Sequence, residues 1–210
     1  MLPDGAVLEA RAINAWRGDR HILRDVSFVV RTGEFLKITG PNGVGKTTLL
    51  RVICGLLPAE TGSIDWCGRP VRGVSDEFHA QLGYLGHPNS LKGDLTCREN
   101  LKFLAGLRQK LSAKDIDAAL DRCGILSRGD LPARSLSAGQ KRRLALARLL
   151  LAEASLWVLD EPVTNLDTAG VGLVEDLVRE HVARGGLALA AAHQRLLDDA
   201  PFLRRLELIP

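Results

Sequence analysis

The stretch Gly40-Pro-Asn-Gly-Val-Gly-Lys46-Thr47-Thr48 fits the pattern G-x-x-x-x-G-K-[ST] in full, and no other feature narrows the possible folds as much. Before it, Glu34 to Thr39 reads as a short, mostly apolar strand. After it, Thr48 to Cys54 reads as the start of a helix, with Gly55 as its stop. Strand, loop and helix in that order give the pattern its meaning. The glycines let the backbone curl until successive N–H groups face one hollow. The helix N-terminus adds partial positive charge. Lys46 can reach the β- and γ-phosphates of a nucleoside triphosphate, and the Thr47 hydroxyl can ligate Mg²⁺. Gly40, Pro41, Asn42, Gly43, Val44, Gly45, Lys46, Thr47 and Thr48 are therefore the candidate nucleotide-binding residues. An ordinary Gly-rich turn would not need the Lys-Thr pair.

The chain has 210 residues, enough for one full core with a small inserted subdomain. A net charge of +3 is too small to argue for a nucleic-acid partner, and none is expected. Two basic runs, Lys141-Arg-Arg143 and Arg204-Arg205, read as solvated faces. Cys54, Cys67, Cys97 and Cys123 are scattered and read as free buried thiols. No signal peptide and no run of about 18 apolar residues is evident. If the protein works at a membrane, another subunit must supply the span.

Along the chain, Val7 to Ala12 and Asp25 to Val30 read as two strands of an antiparallel layer placed before a parallel core. Trp16 and Arg17 fall between them. Trp16 either stacks on an adenine ring or lies half-buried against the sheet. Ser63 to Cys67 and Leu82 to Gly86 read as further strands. Thr96-Cys-Arg-Glu99 is a capping box opening a helix to about Lys110, and Ser112 caps a second helix to Cys123. The stretch from about 88 to 136 is thus expected as an inserted helical subdomain. Ala138 to Ala154 reads as a long helix, and Asp167 to Arg184 as an amphipathic one. Leu187 to Ala191 is a short buried strand that delivers His193. Leu203 to Ile209 reads as a final edge strand.

Leu156-Trp-Val-Leu-Asp160-Glu161 is an apolar strand running into two acids. Strands buried on both faces belong to parallel sheets, and ligands gather at their carboxyl ends. Asp160 is the expected second handle on Mg²⁺, and Glu161 the candidate general base. Leu136-Ser-Ala-Gly-Gln140 precedes a helix and offers a second anion site. One nucleotide does not need two phosphate sites. This one is expected to serve a nucleotide held by a partner chain, in a symmetric head-to-tail pair. A plain Ser137 N-cap is the competing reading.

Taken together, these motifs resemble the nucleotide-binding subunit of ABC transporters over nearly the whole chain. The resemblance rests on the phosphate loop Gly40–Thr47, the signature Leu136, Ser137, Ala138, Gly139 and Gln140, the strand ending Asp160-Glu161, the D-loop Asn165-Leu166-Asp167 and the switch His193. It implies an α/β phosphate-loop ATPase of ABC type, with a parallel core sheet, an N-terminal antiparallel layer and an inserted helical subdomain. Residues 1–87 and 137–210 would form the core and 88–136 the subdomain. It further implies that Ser137 and Gly139 contact the opposite chain's γ-phosphate. Asp167 would cross the dimer interface, and His193 would sense the γ-phosphate beside Glu161 and Lys46. The cofactors would be ATP and Mg²⁺. Two positions depart from the pattern. Ala138 stands where a glycine is usual. His87 stands where a glutamine usually contacts Mg²⁺ and couples to the membrane subunit.

Softer matches point to the haem-exporter, or cytochrome c maturation, branch. They are Ile38-Thr-Gly40, Tyr84-Leu-Gly-His87, Leu95-Thr-x-x-Glu-Asn-Leu101, the Ala138 signature variant, Leu156-Trp157 and His193-Gln194. The branch implies a homodimer of ATPase subunits on integral membrane transporter subunits, peripheral on the cytoplasmic face of the inner membrane. A haem chaperone complex would be a further partner. Nothing in the chain resembles a haem site, and His21, His79 and His181 read as surface residues. An ABC ATPase for another solute and a soluble ABC ATPase are the alternatives.

Overall fold

The computed structural model describes residues 5, 7–73, 75–86, 89–105 and 110–209. In chain order the elements are β1 (Val7–Arg17), β2 (Arg20–Arg31), β3 (Phe35–Thr39), α1 (Lys46–Ile53), β4 (Thr61–Trp66), β5 (Arg69–Pro70), α2 (Ser75–Ala80) and β6 (Leu82–Leu85). There follow α3 (Cys97–Ala105), α4 (Ala113–Arg122), α5 (Ala138–Leu151), β7 (Leu156–Asp160), α6 (Thr168–Ala183), β8 (Leu187–Ala191) and β9 (Leu203–Glu207).

Two sheets form. The antiparallel one runs β2-β1-β4-β5, and the parallel one runs β6-β7-β8-β3-β9. Sequence order does not give this arrangement: β3 sits between β8 and β9, far from it along the chain. β7 and β8 are buried at every residue, as the apolar runs require of strands covered on both faces. One apolar core lies between the two sheets, with Leu8, Ile13, Val30, Leu49 and Phe78. The other lies on the opposite face of the parallel sheet, under α3 to α6, with Leu101, Leu120, Leu144, Val174 and Ala190.

β1 and β2 are longer than the apolar pattern suggests. They continue as a bent hairpin past Ala12 and Asp25, both at positive φ, with register shifts between Ala10 and Trp16. Trp16 is therefore a strand residue, paired across the hairpin with His21. The predicted caps form. Ser112 and Asp115 make a reciprocal box on α4, and Thr96 exchanges bonds with Glu99 at the start of α3. The expected end of the latter helix, near Lys110, adjoins residues 106–109, which lie outside the described ones. α3 and α4 both pack on α5. Hence the second half of α5 is largely buried, with Leu144 to Ala147, Leu149 and Leu151 covered by helices on one side and sheet on the other.

Three expectations need correction. Cys67 is exposed rather than buried, because it occupies the β4–β5 turn at positive φ. Lys141–Arg143 is not a solvated face: Arg142 lies on the covered side of α5 and is 2% exposed. His181 is half-buried rather than a free surface histidine. Its ring stacks on Trp157 at a centroid distance of 4.0 Å, and its Nε2 bonds the Leu187 carbonyl oxygen.

Candidate functional site

The register of the parallel sheet assembles the site. Ile38 at the end of β3 and Asp160 at the end of β7 both pair with Ala191 at the end of β8. Three chain segments far apart in sequence thus release their loops at one edge. These loops are the phosphate loop, the Asp160-Glu161 turn and the segment carrying His193.

All three glycines of the phosphate loop lie at positive φ, and at two of them a Cβ would also clash. Gly45 has φ +115, and a Cβ there would lie 2.7 Å from Ile22 Cγ2. Gly40 has φ +136, and a Cβ would lie 2.4 Å from the Leu208 carbonyl oxygen. Gly45 is also the N-cap of α1, with no side-chain cap bond, so the first amides of the helix keep their donors for a ligand. Lys46 folds over the loop and donates to the carbonyl oxygens of Gly40 at 2.8 Å and Pro41 at 2.9 Å. Burial pulls its ammonium below the ordinary lysine value, while the Glu161 and Asp160 carboxylates oppose that shift.

A cavity of about 530 Å³ opens over this loop. Asn42, Gly43, Gly45, Lys46, Thr47 and Thr48 form one wall, and Glu161, Thr164, His193 and Gln194 another. Pro41 is exposed, whereas Val44 is buried beneath the loop. Arg17 and Ile22 from the hairpin close a third side. Trp16 is not part of this lining. Its indole is 45% exposed and lies flat on the His21 ring, 3.7 Å between centroids. The His21 ring in turn bonds Asn14 Oδ1 at 2.8 Å.

The Thr47 hydroxyl donates to Asp160 Oδ1 at 3.0 Å, and Asp160 is 2% exposed. A hydroxyl and a carboxylate are hard oxygen donors, which suit Mg²⁺. Among the described residues no group of three or more His, Cys, Asp or Glu side chains could hold a metal. Thr47 and Asp160 could hold such an ion, with phosphate and water as further ligands. Glu161 follows Asp160 at φ +49, a conformation unfavourable for a non-glycine residue. Its amide donates to the Ala191 carbonyl oxygen, and its Oε1 lies 3.5 Å from His193 Nε2. His87, expected beside this metal, lies outside the described residues, as does Pro88.

The signature segment lies apart from the cavity. Ser137 and Gln140 form a reciprocal capping box on α5. Leu136 is buried, and Ala138 begins the helix. Gly139 packs against the D-loop, where a Cβ would lie 2.8 Å from the Asn165 carbonyl oxygen. Asp167 caps α6 through the Gly170 amide at 2.9 Å and pairs with Arg143 at 3.1 Å. These bonds hold its carboxyl below the usual aspartate range, the Gly170 amide contributing most.

Two buried polar residues carry structure that the motifs did not announce. Asn100, fully buried, bonds the Lys92 amide and the carbonyl oxygens of Lys92, Leu95 and Thr96. Arg142 reaches the turn after β7. Its position on the apolar stripe of α5, one turn before Leu146, was the available signal.

A phosphate cradle after β3, an acid pair at the end of β7 and a histidine just past β8, the strand between them, define a phosphate-loop nucleotide-binding protein. The chain also matches the family model described as ABC transporter over residues 23–164. It is 46% identical over 192 residues, 91% of each chain, to "Cytochrome c biogenesis ATP-binding export protein CcmA 2" of Cupriavidus metallidurans. It is 43% identical over 189 residues to the CcmA protein of Nitrosococcus oceani, covering 90% of this chain and 87% of that one. Among solved structures it resembles cbiO1 of Clostridium perfringens, part of the ABC transporter complex cbiONQ. That likeness has a TM-score of 0.75 at 28% identity and covers 97% of this chain and 86% of the other. The chain belongs to the ABC transporter family, as an ATP-binding subunit.

Proposed function

We propose that this chain is the ATP-hydrolysing subunit of an exporter complex in cytochrome c biogenesis, coupled to haem delivery or release of a haem-loaded chaperone. The observation that carries the hydrolytic part is the shared cavity of Lys46, Thr47, Glu161 and His193, with Asp160 bonded to Thr47. The names of the relatives support the export and cytochrome c part. No described helix is long and apolar enough to cross a membrane, so integral membrane subunits are the natural partners of an exporting chain. The complex would then hold this subunit at the cytoplasmic face of the inner membrane.

In this reading Lys46 exchanges the carbonyl oxygens of Gly40 and Pro41 for phosphate oxygens. The first amides of α1 hold the phosphates from below. Thr47 and Asp160 would hold Mg²⁺, which when bound neutralises charge on the phosphate oxygens. Glu161 takes the proton of the attacking water, and His193 donates to the γ-phosphate next to it. Residues 88–136 act as the helical subdomain that carries Leu136–Gln140 toward a second copy. Trp16 stacks on the adenine with the indole face not covered by His21.

Expression of Lys46→Ala in cells lacking the wild-type chain tests this. The expected result is normal recovery of the variant with membranes, together with loss of mature c-type cytochromes. Mature cytochromes at wild-type level would contradict the cargo assignment.

A further inference from the structure

We propose that Arg142 is a positioning residue: it holds the turn that aims Glu161 and ties that turn to the loop leaving β6. The inference rests on the ATPase reading for its catalytic consequence, though not for its geometry. Arg142 lies one turn into α5, just after the signature residues, and is 2% exposed. Its Nε donates to the Pro162 carbonyl oxygen at 3.0 Å. Its Nη2 donates to the carbonyl oxygens of Asp160 and Glu161, both at 2.7 Å. Its Nη1 donates to the Gly86 carbonyl oxygen at 3.0 Å and to Asn89 Oδ1 at 2.8 Å. A guanidinium has five N–H bonds in a rigid fork, and this one has five acceptors.

The acceptors fall in two groups. Three are consecutive carbonyls, 160 to 162, of the turn in which Glu161 adopts φ +49. Such a conformation persists only where neighbours over-determine it. The other two lie on the loop between β6 and α3. The far part of that loop is fixed by Asn100 through Lys92, Leu95 and Thr96. One side chain therefore spans the signature helix, the catalytic turn and the near end of the loop. Among the described residues no carboxylate pairs with the guanidinium. A displacement of the loop at Gly86 and Asn89 is thus felt at the backbone of Glu161.

Neither usual substitute can do this. Lysine keeps the charge with at most three donors in one place, and glutamine keeps two donors and no charge. The test uses the full-length chain as Arg142→Gln and Arg142→Lys, read by amide hydrogen exchange and by steady-state ATPase. Arg142→Gln is expected to raise exchange about fivefold or more in both 89–95 and 161–166, with α6 unchanged. Its kcat is expected to fall about tenfold or more while the KM for ATP stays within about threefold. Arg142→Lys, which keeps the charge and the stem, is expected to fold and to lie between the two. A third variant, Asn89→Ala, should loosen 89–95 alone. Unchanged exchange in both segments of either Arg142 variant would overturn the proposal, as would a loss confined to KM. Exchange is read without hydrolysis. Failure of the ATPase reading would show in the wild-type chain, and failure of the positioning role only in the variants.

Discussion

Two helix N-termini in this molecule could each receive an anion, and they are built differently. At α1 the cap is Gly45, left-handed and without a side-chain bond, so the first amides have no partner of their own. Lys46 rests on the carbonyl oxygens of the same loop, bonds that a phosphate can replace. At α5 the cap is Ser137, whose hydroxyl accepts from the Gln140 amide, while Gln140 accepts from the Ser137 amide. Among the described residues no lysine is bonded across this second terminus, and no acid pair adjoins it as one does the first. The first terminus is an open site that needs a ligand to satisfy it. The second is largely satisfied and can only add contacts to a phosphate already held elsewhere. That difference is why one chain supplies a whole cradle and, on the proposed reading, only half of a catalytic site.

The comparison breaks most sharply at Lys46. Lys46→Ala is expected to cost about a thousandfold in kcat/KM for ATP, as for loss of a preorganised charged donor. A loss below tenfold would mean that the α1 terminus is not the principal phosphate site.

His181 provides a control at the other end of the sheet, remote from both termini. Burial pushes its imidazole from 6.5 down to about 4. The folded state therefore keeps the ring neutral while the unfolded chain takes up a proton. Stability is complete above about pH 6.5 and falls as the pH drops toward 4, by about 3 kcal/mol in all. His181→Phe can keep the stack on Trp157 and should flatten that stretch of a denaturation-versus-pH curve. An unaltered slope would move the acid sensitivity to the nucleotide end.

The smallest expected effect is at the second terminus. Ser137→Ala should lower unfolding stability by about 1 kcal/mol, the usual worth of an N-cap hydroxyl. Nucleotide binding by the isolated chain should stay unchanged, as read by equilibrium titration. A tenfold weakening of binding there would mean that Ser137 serves its own chain's nucleotide.

What the sequence made legible was local. The phosphate loop, the acid pair at a strand end and the caps at Thr96, Ser112 and Ser137 each depend on residues within a few positions, and the structure forms them at those places. The parallel core, the antiparallel layer before it and the helices between β6 and α5 were also readable from period and order. Non-local features were not. The position of β3 between β8 and β9 depends on pairings about 150 residues apart. The Trp16–His21 stack depends on a bent hairpin whose register shifts leave no short motif. Arg142 reads as surface because its run of three basic residues outweighs its place on an apolar stripe. Asn100 falls within the Leu95–Leu101 motif, but its partners are backbone groups of a neighbouring loop and leave no mark in the sequence.

The central claim is that the site is completed by a second copy of the chain. Its most direct measurement is ATP-dependent dimerisation by light scattering, in a Glu161→Gln background that slows turnover. The parent is expected to double its mass on adding ATP with Mg²⁺. The same protein carrying Ser137→Arg should bind ATP equally well and remain a monomer, because bulk and charge then occupy the place of the partner's phosphate. Dimerisation of that variant at the parent's level would contradict the account.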